Sequence, residues 1–411
     1  MKNIFKKIVV FLLTLEARAF LARFKPVVIA VTGTVGKTST KDAIAAALAP
    51  FVMVRKSEKS YNSDIGVPLA ILGEKNQWNN PFGWTFVFLK GIFNLLFLNS
   101  PNFLVLEVGT DRPGDIRAIV KWLKPHIVVV TKLSRAPVHV GNFSSIGELI
   151  AEKGALVSSL RSGGTLVVNA DDTDVLAFRA LAQAGTKVVS FGFSEDADVR
   201  AGEFASLVEI NGTLGTPPLY AALAALAVAK TFGFDLARAA KALSARALAP
   251  GRMRILSGIN GARIIDDTYN SSPVAVAEAL KTLEEIQIQE VHSTNARGKK
   301  IAVLGDMLEL GDLSNGEHKK MVEEAVRIAD VVWLIGERAA GTGIVSQKIR
   351  VFSDARSAGE VLHAELRAGD IVLIKGSQGM RMERTVERAL AEPARASELL
   401  VRQEKEWKRK S

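Results

Sequence analysis

The sequence predicts an α/β fold: a P-loop-type central domain with a mostly parallel sheet, then a C-terminal, Rossmann-like α/β domain. Three observations lead there. Short β-branched runs alternate with helical stretches along nearly the whole chain, the spacing of parallel strands joined by crossover helices. A Gly-rich turn directly follows the first run and opens a helix. A break at Ala249-Pro250-Gly251 separates two such series and divides the chain into residues 26–250 and 251–411.

Residues 1–25 come first. Lys2, Lys6 and Lys7 precede the apolar run 8–13 and superficially resemble a secretory signal. The run is short, Glu16, Arg18 and Arg23 follow it, and no small-residue cleavage site precedes the next strand. We therefore read an amphipathic helix that either packs on the protein or lies on a membrane surface as a peripheral anchor. Residues 27–31 form a strand that stops at Thr32-Gly33, and residues 39–48 form a helix that ends before Pro50. The apolar stretch 84–98 is interrupted by Lys90, Gly91 and Asn94. It falls short of the ~20 residues that span a bilayer and reads as a buried or interfacial helix. Strands follow at 103–106, 127–130, 165–168 and 187–191, then Ala-rich helices at 219–230 and 236–248. The second series has strands at 263–265, 300–304, 331–335 and 371–374. Residues 402–411 are strongly basic and read as a solvated helix end or tail.

Length and composition narrow the function. A chain of 411 residues holds two or three domains, which excludes a single small binding module. Cysteine is absent, so disulfides, zinc ribbons, iron–sulfur clusters and thiol nucleophiles are excluded, in keeping with a reducing cytoplasm. Fifty-three Lys and Arg against 43 Asp and Glu give +10, which suits phosphate-bearing ligands or an anionic membrane surface. No aromatic-basic platform or recognition helix accompanies that charge, so no nucleic-acid partner is expected.

The segment VTGTVGKTST, residues 31–40, carries the most chemistry. Backbone N–H groups along Gly33, Thr34, Val35, Gly36 and Ser39 can surround phosphates, Lys37 can reach the β- and γ-phosphates, and the Thr38 hydroxyl can hold Mg²⁺. The strict G-x-x-x-x-G-K-[ST] pattern needs Gly where Val31 stands, and the first Gly is Gly33. This tighter T-G-T-x-G-K-T form resembles the ATP-dependent Mur ligases and their folylpolyglutamate synthetase relatives. Further blocks extend the resemblance over the chain from about residue 25 onward.

YNSDIGVPLAIL, residues 61–72, is similar to the N-x-D-I-G-V-P block of the D-alanyl-D-alanine-adding branch and implies a substrate contact at Asn62. LVLEVGTDRPGDI, residues 104–116, resembles the family strand ending in a magnesium-binding Glu, which makes Glu107 the partner of Thr38. Residues 126–156 resemble the segment carrying a His for a second Mg²⁺ and a helix lysine carbamoylated by CO₂; His139 and Lys153 are the matching positions. GRMRIL, residues 251–256, resembles the segment whose Arg approaches ATP, here Arg252. IIDDTYNSSPVAVAEALKTL, residues 264–283, resembles the D-D-x-Y-N-A-N-P block and implies nucleotide contacts at Asp267, Tyr269 and Asn270. VLGDMLELG, residues 303–311, and VLIKGSQGMRME, residues 372–383, are further family blocks. They imply carboxylate contacts at Lys375 and Ser377, with Arg381 and Glu383 structural. The chain departs from the family where a G-x-H-N helix start is replaced by Gly215, Pro217, Pro218 and Ala221.

The resemblance implies an ATP-dependent amide ligase acting through an acyl phosphate, with Lys37, Glu107, His139 and Lys153 as its catalytic set. ATP, two Mg²⁺ ions and a carbamate on Lys153 are the implied cofactors. A nucleotide- or lipid-linked muramoyl peptide and D-alanyl-D-alanine are the implied substrates, in peptidoglycan synthesis. The expected protein is a cytoplasmic monomer, with the N-terminal helix a candidate contact to the inner face of the membrane. Members of this branch carry an N-terminal domain for the UDP-muramoyl nucleotide; about 25 residues precede the ATP domain here, so that domain is expected to be missing. Another Mur-like amide ligase, of folylpolyglutamate or cyanophycin type, and a P-loop nucleotide-binding protein without ligase activity remain as alternatives.

Overall fold

Each series of β-branched runs folds into its own sheet. The structure, a computed structural model, describes residues 2–58, 61–78, 80–97, 100–133, 142–204, 215–245, 248–287, 290–291 and 296–408. Two units result, the first within residues 2–245 and the second comprising 248–408 together with 215–218.

The first unit holds β1 (Val27–Thr32), β2 (Val54–Lys56), β3 (Phe103–Glu107), β4 (Ile127–Val130), β5 (Thr165–Asn169), β6 (Lys187–Gly192) and β7 (Val199–Arg200). They lie in the order β2-β3-β1-β4-β5-β6-β7, every neighbour parallel. Alternate residues of a strand face opposite sides. Val28, Ala30, Leu104 and Leu106 therefore join one core, and Ile29, Val31, Val105 and Val129 the other. Burial on both faces is why these strands read as unbroken apolar runs. The helices are α1 (Lys2–Phe24), α2 (Lys37–Leu48), α3 (Gly66–Leu72), α4 (Pro81–Phe97), α5 (Asp115–Val120) and α6 (Ile146–Ser158). Of these, α2 covers one face, with Thr216–Thr231 and Leu236–Ser244, and the other five cover the opposite face. The register sets Val31 opposite Glu107 and Thr32 opposite Val130. The C-terminal ends of β1, β3 and β4 thus meet at one edge, where the strand order switches sides around β1. Open parallel sheets bind ligands at such an edge.

The second unit is also α/β. It has β8 (Arg254–Ser257), β9 (Arg263–Asp267), β12 (Lys300–Gly305), β13 (Val331–Ile335), β14 (Ile349–Phe352) and β15 (Ile371–Lys375), with a small antiparallel pair β10 (Glu290–Val291) and β11 (Ala296–Arg297). The sheet order is β14-β13-β12-β15-β9-β8, parallel except where β8 runs against β9.

Two expectations change. The second series of strands was read from residue 263 onward, yet Arg254–Ser257 already forms an edge strand, because Ile255 and Leu256 alternate against β9. The basic end is not wholly solvated. Arg402 is buried, with Nε donating to Glu383 Oε2 at 3.1 Å, Nη1 to the Tyr269 carbonyl at 3.0 Å and Nη2 to the Thr268 carbonyl. A guanidinium with five donors is the side chain that can satisfy several acceptors at one buried point.

Helix α1 buries Val9, Leu13, Ala17 and Phe20 at helical spacing, but its opposite face is apolar too, which separates it from the amphipathic helix expected for residues 1–25. Glu16 sits between α1 and α4. A Cβ on Gly91 would lie 2.2 Å from Glu16 Oε2, so a side chain there would displace the carboxyl group from this position. That oxygen is buried without a hydrogen-bond partner among the described residues. Burial first, and then the charge of Glu74, push Glu16 up to about 7. The folded state keeps this proton at pH values where the unfolded chain has lost it, so stability falls as pH rises from the ordinary carboxyl range through about 7. Because the group is half-exposed, Glu16→Gln is expected to raise unfolding free energy at pH 8 by only about 1 kcal/mol. At pH 4 it should change little. Denaturant melts at both pH values read the difference.

Candidate active site

The turn after β1 is shaped by its glycines. Gly33 has φ 143° and Gly36 has φ 86°, both in the region that glycine tolerates without a Cβ penalty. At Gly33 the constraint is also one of space, since a Cβ would lie 2.1 Å from Thr131 Oγ1. The turn is pinned to the end of β4. Thr34 N–H donates to the Lys132 carbonyl at 2.7 Å and the Thr131 hydroxyl to the Val35 carbonyl at 2.6 Å. From Gly36 the chain enters α2, so Lys37, Thr38 and Ser39 form its first turn, where N–H groups point outward and favour an anion.

Lys37 folds back on its own loop. Its Nζ donates to the carbonyls of Gly33 at 3.0 Å and Thr34 at 3.2 Å. Thr38, one turn into the site, donates its hydroxyl to Glu107 Oε2 at 2.8 Å, both residues being buried. Asn62 Nδ2 donates to the other oxygen, Oε1, at 3.2 Å, while its own carbonyl accepts from Gly109 N–H at 3.0 Å. Glu107 is thus fixed at the end of β3 with a hydroxyl on one oxygen and an amide on the other. The hydroxyl and carboxylate are hard oxygen donors, the kind Mg²⁺ takes while keeping several waters. Among the described residues no three His, Asp or Glu side chains cluster as a ready-made metal site.

Lys153 meets the same turn from α6. Ser145 caps that helix by accepting from Glu148 N–H at 3.1 Å. Its neighbour Glu152 accepts from the N–H groups of Ile116 at 2.8 Å and Arg117 at 3.0 Å, which ties α6 to the start of α5. So held, Lys153 Nζ donates to the Gly33 carbonyl at 3.1 Å, the atom Lys37 also uses. Burial, and after it the charge of Lys37, lower Lys153 to about 7 against opposing pulls from Asp111 and Glu152. His139 lies outside the described residues.

Three residues escaped the sequence reading. Thr131 positions the turn. Ser57 accepts from the Glu107 N–H at 3.2 Å, and buried Lys41 donates to the Ser57 carbonyl at 2.6 Å. Lys41 stands one turn beyond Lys37 in the same helix, the one signal that was available. Ala221 packs in the first unit's core, which accounts for an apolar residue there.

In the second unit, the end of β9 meets the end of β15. Lys375 Nζ, buried, pairs with Asp267 Oδ2 at 2.5 Å and donates to the Asn270 carbonyl at 3.0 Å. Asn270 Oδ1 accepts from the Gln378 N–H at 3.2 Å. The Arg252 guanidinium lies 3.9 Å from the Tyr269 ring centroid, a cation–π stack. Ser377 Oγ accepts from the Leu308 N–H at 2.8 Å and its own N–H donates to the Asp306 carbonyl at 3.0 Å. Arg381 and Glu383 form a buried ion pair at 2.6 Å.

The chain matches sequence profiles for the Mur ligase middle domain over residues 31–214 and for the Mur ligase, glutamate ligase domain over 251–378. A UDP-N-acetylmuramoyl-tripeptide--D-alanyl-D-alanine ligase of Mycobacterium tuberculosis is 30% identical over 390 residues, covering 85% of this chain and 70% of the relative. The ligase of the same name from Bacillus subtilis is 28% identical over 396 residues, covering 92% and 79%. Among solved structures, MurF ligase from Thermotoga maritima in complex with ADP aligns at TM-score 0.73 and 25% identity over 92% of this chain and 83% of that one. MurF from Acinetobacter baumannii shares the fold at TM-score 0.72 and 23% identity, over 91% and 79%.

The Gly33 geometry yields a test. Gly33→Ala is expected to weaken binding of a fluorescent ATP analogue by about tenfold or more, since the strained turn costs on the order of 1–3 kcal/mol. Adding Thr131→Ser to Gly33→Ala leaves the clashing Oγ and should restore nothing, whereas Thr131→Ala removes it and should recover part of the loss. In the second unit, Asp267→Asn strands a buried ammonium and should lower stability by about 3 kcal/mol, read by denaturant melts.

Proposed function

The chain belongs to the Mur ligase family, and from that premise we propose that it is an ATP-dependent ligase joining the amine of D-alanyl-D-alanine to a muramoyl-peptide carboxylate in peptidoglycan synthesis. Residues 26–250 are the ATP-binding part and 251–411 the C-terminal part of this reading. The observation that carries it is the turn of Gly33 to Lys37 beside the Thr38–Glu107 pair, at the C-terminal edge of β1 and β3.

The chain's own groups suit the reaction. Lys37, whose Nζ donates to two carbonyls of its loop, would turn to phosphate oxygens, and the N–H groups at the start of α2 would receive the rest of the phosphate chain. The acceptor carboxylate attacks the γ-phosphorus, the bond to the ADP oxygen breaks, and an acyl phosphate forms. The amine then attacks that carbonyl, a proton passes to solvent, phosphate leaves and the amide remains. Lys37 offsets the charge that gathers as two anions approach. Thr38 and Glu107 would hold one Mg²⁺, with His139 and Lys153 contributing to a second; bound magnesium supplies Lewis-acid polarisation of the phosphate oxygens. Asn62 then serves the substrate side of Glu107. In the second unit, Arg252, Asp267, Tyr269 and Asn270 are assigned to the nucleotide, and Lys375 and Ser377 to a carboxylate of acceptor or product. The protein works as a cytoplasmic monomer, with α1 in peripheral contact with the inner face of the membrane.

Lys153 is proposed to carry a carbamate. Only an uncharged amine attacks CO₂, and burial beside Lys37 supplies one near neutral pH. The ammonium gives up one proton to become that amine, the N–C bond forms as a second proton leaves the nitrogen, and a former cation is then an anion next to Lys37.

Incubation with UDP-muramoyl-tripeptide, D-alanyl-D-alanine, ATP, Mg²⁺ and bicarbonate should release phosphate only when the amine is present and give the amide by mass spectrometry. Lys37→Ala and Glu107→Ala should each cut turnover by about 10²–10³-fold with the fold intact. Retained turnover in either overturns the phosphate placement. In ¹³C-bicarbonate, a carbamate resonance should grow as pH rises through about 7 and be absent from Lys153→Ala.

A further inference from the structure

Helices α1 and α4 pack side by side on the first unit, each with an inner face that the core accounts for. The inner positions are Val9, Leu13, Ala17 and Phe20 on α1 and Trp84, Val87, Gly91 and Asn94 on α4. The outer positions follow the same helical spacing and are just as apolar. On α1 they are Ile4, Ile8, Phe11 and Leu15, exposed by 66, 52, 66 and 54%. On α4 they are Phe82, Phe86, Leu89, Phe93 and Leu96, exposed by 87, 66, 63, 54 and 57%. With large apolar side chains of about 150–250 Å² each, these positions leave on the order of 1,000 Å² of apolar surface in water. A soluble monomer's largest patch is about 300–600 Å². Something covers this one.

Charge selects what does. Exposed Lys6, Lys7, Arg18 and Arg23 stand on α1 and Lys90 on α4. Lys6 pairs with Asp64 at 3.0 Å and Lys90 with Glu74 at 3.0 Å, both acids lying outside the two helices. Among the described residues the one acid on either helix is Glu16, turned inward against Gly91. A second copy docked by this face would set these cations against their own kind. An anionic headgroup layer would receive the cations while its acyl region receives the Phe and Leu side chains. No helix among the described residues is long and apolar enough to cross a membrane. We propose that α1 and α4 together form a two-helix face that lies in the interface of an anionic phospholipid bilayer without spanning it. This goes beyond a contact of α1, because α4 presents the larger exposed side chains, and it stands on the helix pair independently of the ligase chemistry.

The test is flotation of the full chain with extruded vesicles of phosphatidylcholine alone and of phosphatidylcholine with one-quarter phosphatidylglycerol, read without any turnover assay. The parent should float with the anionic vesicles, bind the neutral ones far less, and lose binding as salt rises. Phe86→Asp with Leu89→Asp, both at exposed positions, should keep the circular dichroism and melting of the parent and lower vesicle affinity by about 100-fold. Lys7→Glu with Arg18→Glu should lower it by about tenfold or more on anionic vesicles only. Equal flotation of the parent and Phe86→Asp/Leu89→Asp overturns the proposal, as does no flotation at all. A dimer seen by light scattering, dissolved by Phe86→Asp/Leu89→Asp while vesicles bind neither protein, overturns it in favour of a self-association face.

Discussion

Two ammonium groups converge on one peptide oxygen, the carbonyl of Gly33, from 3.0 and 3.1 Å. A single carbonyl dipole cannot balance both charges, and Lys153, being buried, bears the strain by holding its proton only to about 7. Negative charge would relieve it, and the phosphate and the Lys153 carbamate that we propose are both sources of such charge. The surrounding structure holds the turn and both lysine-bearing helices in place. Thr131 and the Lys132 carbonyl hold the turn against β4, Glu152 anchors α6, and Ser57 steadies the backbone of Glu107. Each element thereby helps to set two lysines beside a carboxylate whose orientation is fixed. Preorganised charge of this kind favours anionic transition states because the protein does not reorganise during reaction.

The second unit applies a different rule to two adjacent aspartates. Asp266 is buried and satisfied by its own surroundings: Gly251 N–H at 2.9 Å, and the Thr268 hydroxyl at 2.6 Å and N–H at 3.2 Å. Burial nonetheless pushes it up to about 6. Asp267, one step along β9, sends Oδ2 to Lys375 and so bridges the ends of two strands. Arg402 then reaches back from the C-terminal end to the carbonyls of Thr268 and Tyr269, fixing the turn that carries Tyr269 and Asn270. The first aspartate supports the turn, and the second presents a charged pair at the strand ends, where parallel sheets place their chemistry.

Much of this was legible in the sequence, for a physical reason. Strands buried on both faces need long β-branched runs, so β1, β3, β4, β5, β12, β13 and β15 announced themselves, and the Gly-Lys-Thr turn was placed by the strand before it. Three-residue β2 and two-residue β7 gave no such run, and the antiparallel pairing of β8 depends on a partner ten residues away. Within the site, the Gly-Lys-Thr turn pointed to Thr38, and the resemblance of residues 104–116 to the family strand pointed to Glu107. That Lys37 and Lys153 would share an oxygen is a through-space fact between residues 116 positions apart, which periodicity does not encode. Arg402 misled because a basic run reads as solvated, while burial of one guanidinium is decided by acceptors on the turn after β9 and on Glu383.

The same limitation explains α4. Lys90, Gly91 and Asn94 break its hydropathy and remove it from consideration as a spanning segment, which suggests that its polar positions face water. The structure reverses two of the three. Asn94 Nδ2 donates to Glu74 Oε1 at 3.2 Å, and Gly91 makes room for Glu16, so these positions bind the helix to the protein. Once they are turned inward, the residues left outside are mostly phenylalanine, leucine and isoleucine. The interruptions that lower the average hydropathy of α4 are therefore what frees a continuous apolar surface on its far side. A helix attached by its polar residues presents its apolar ones.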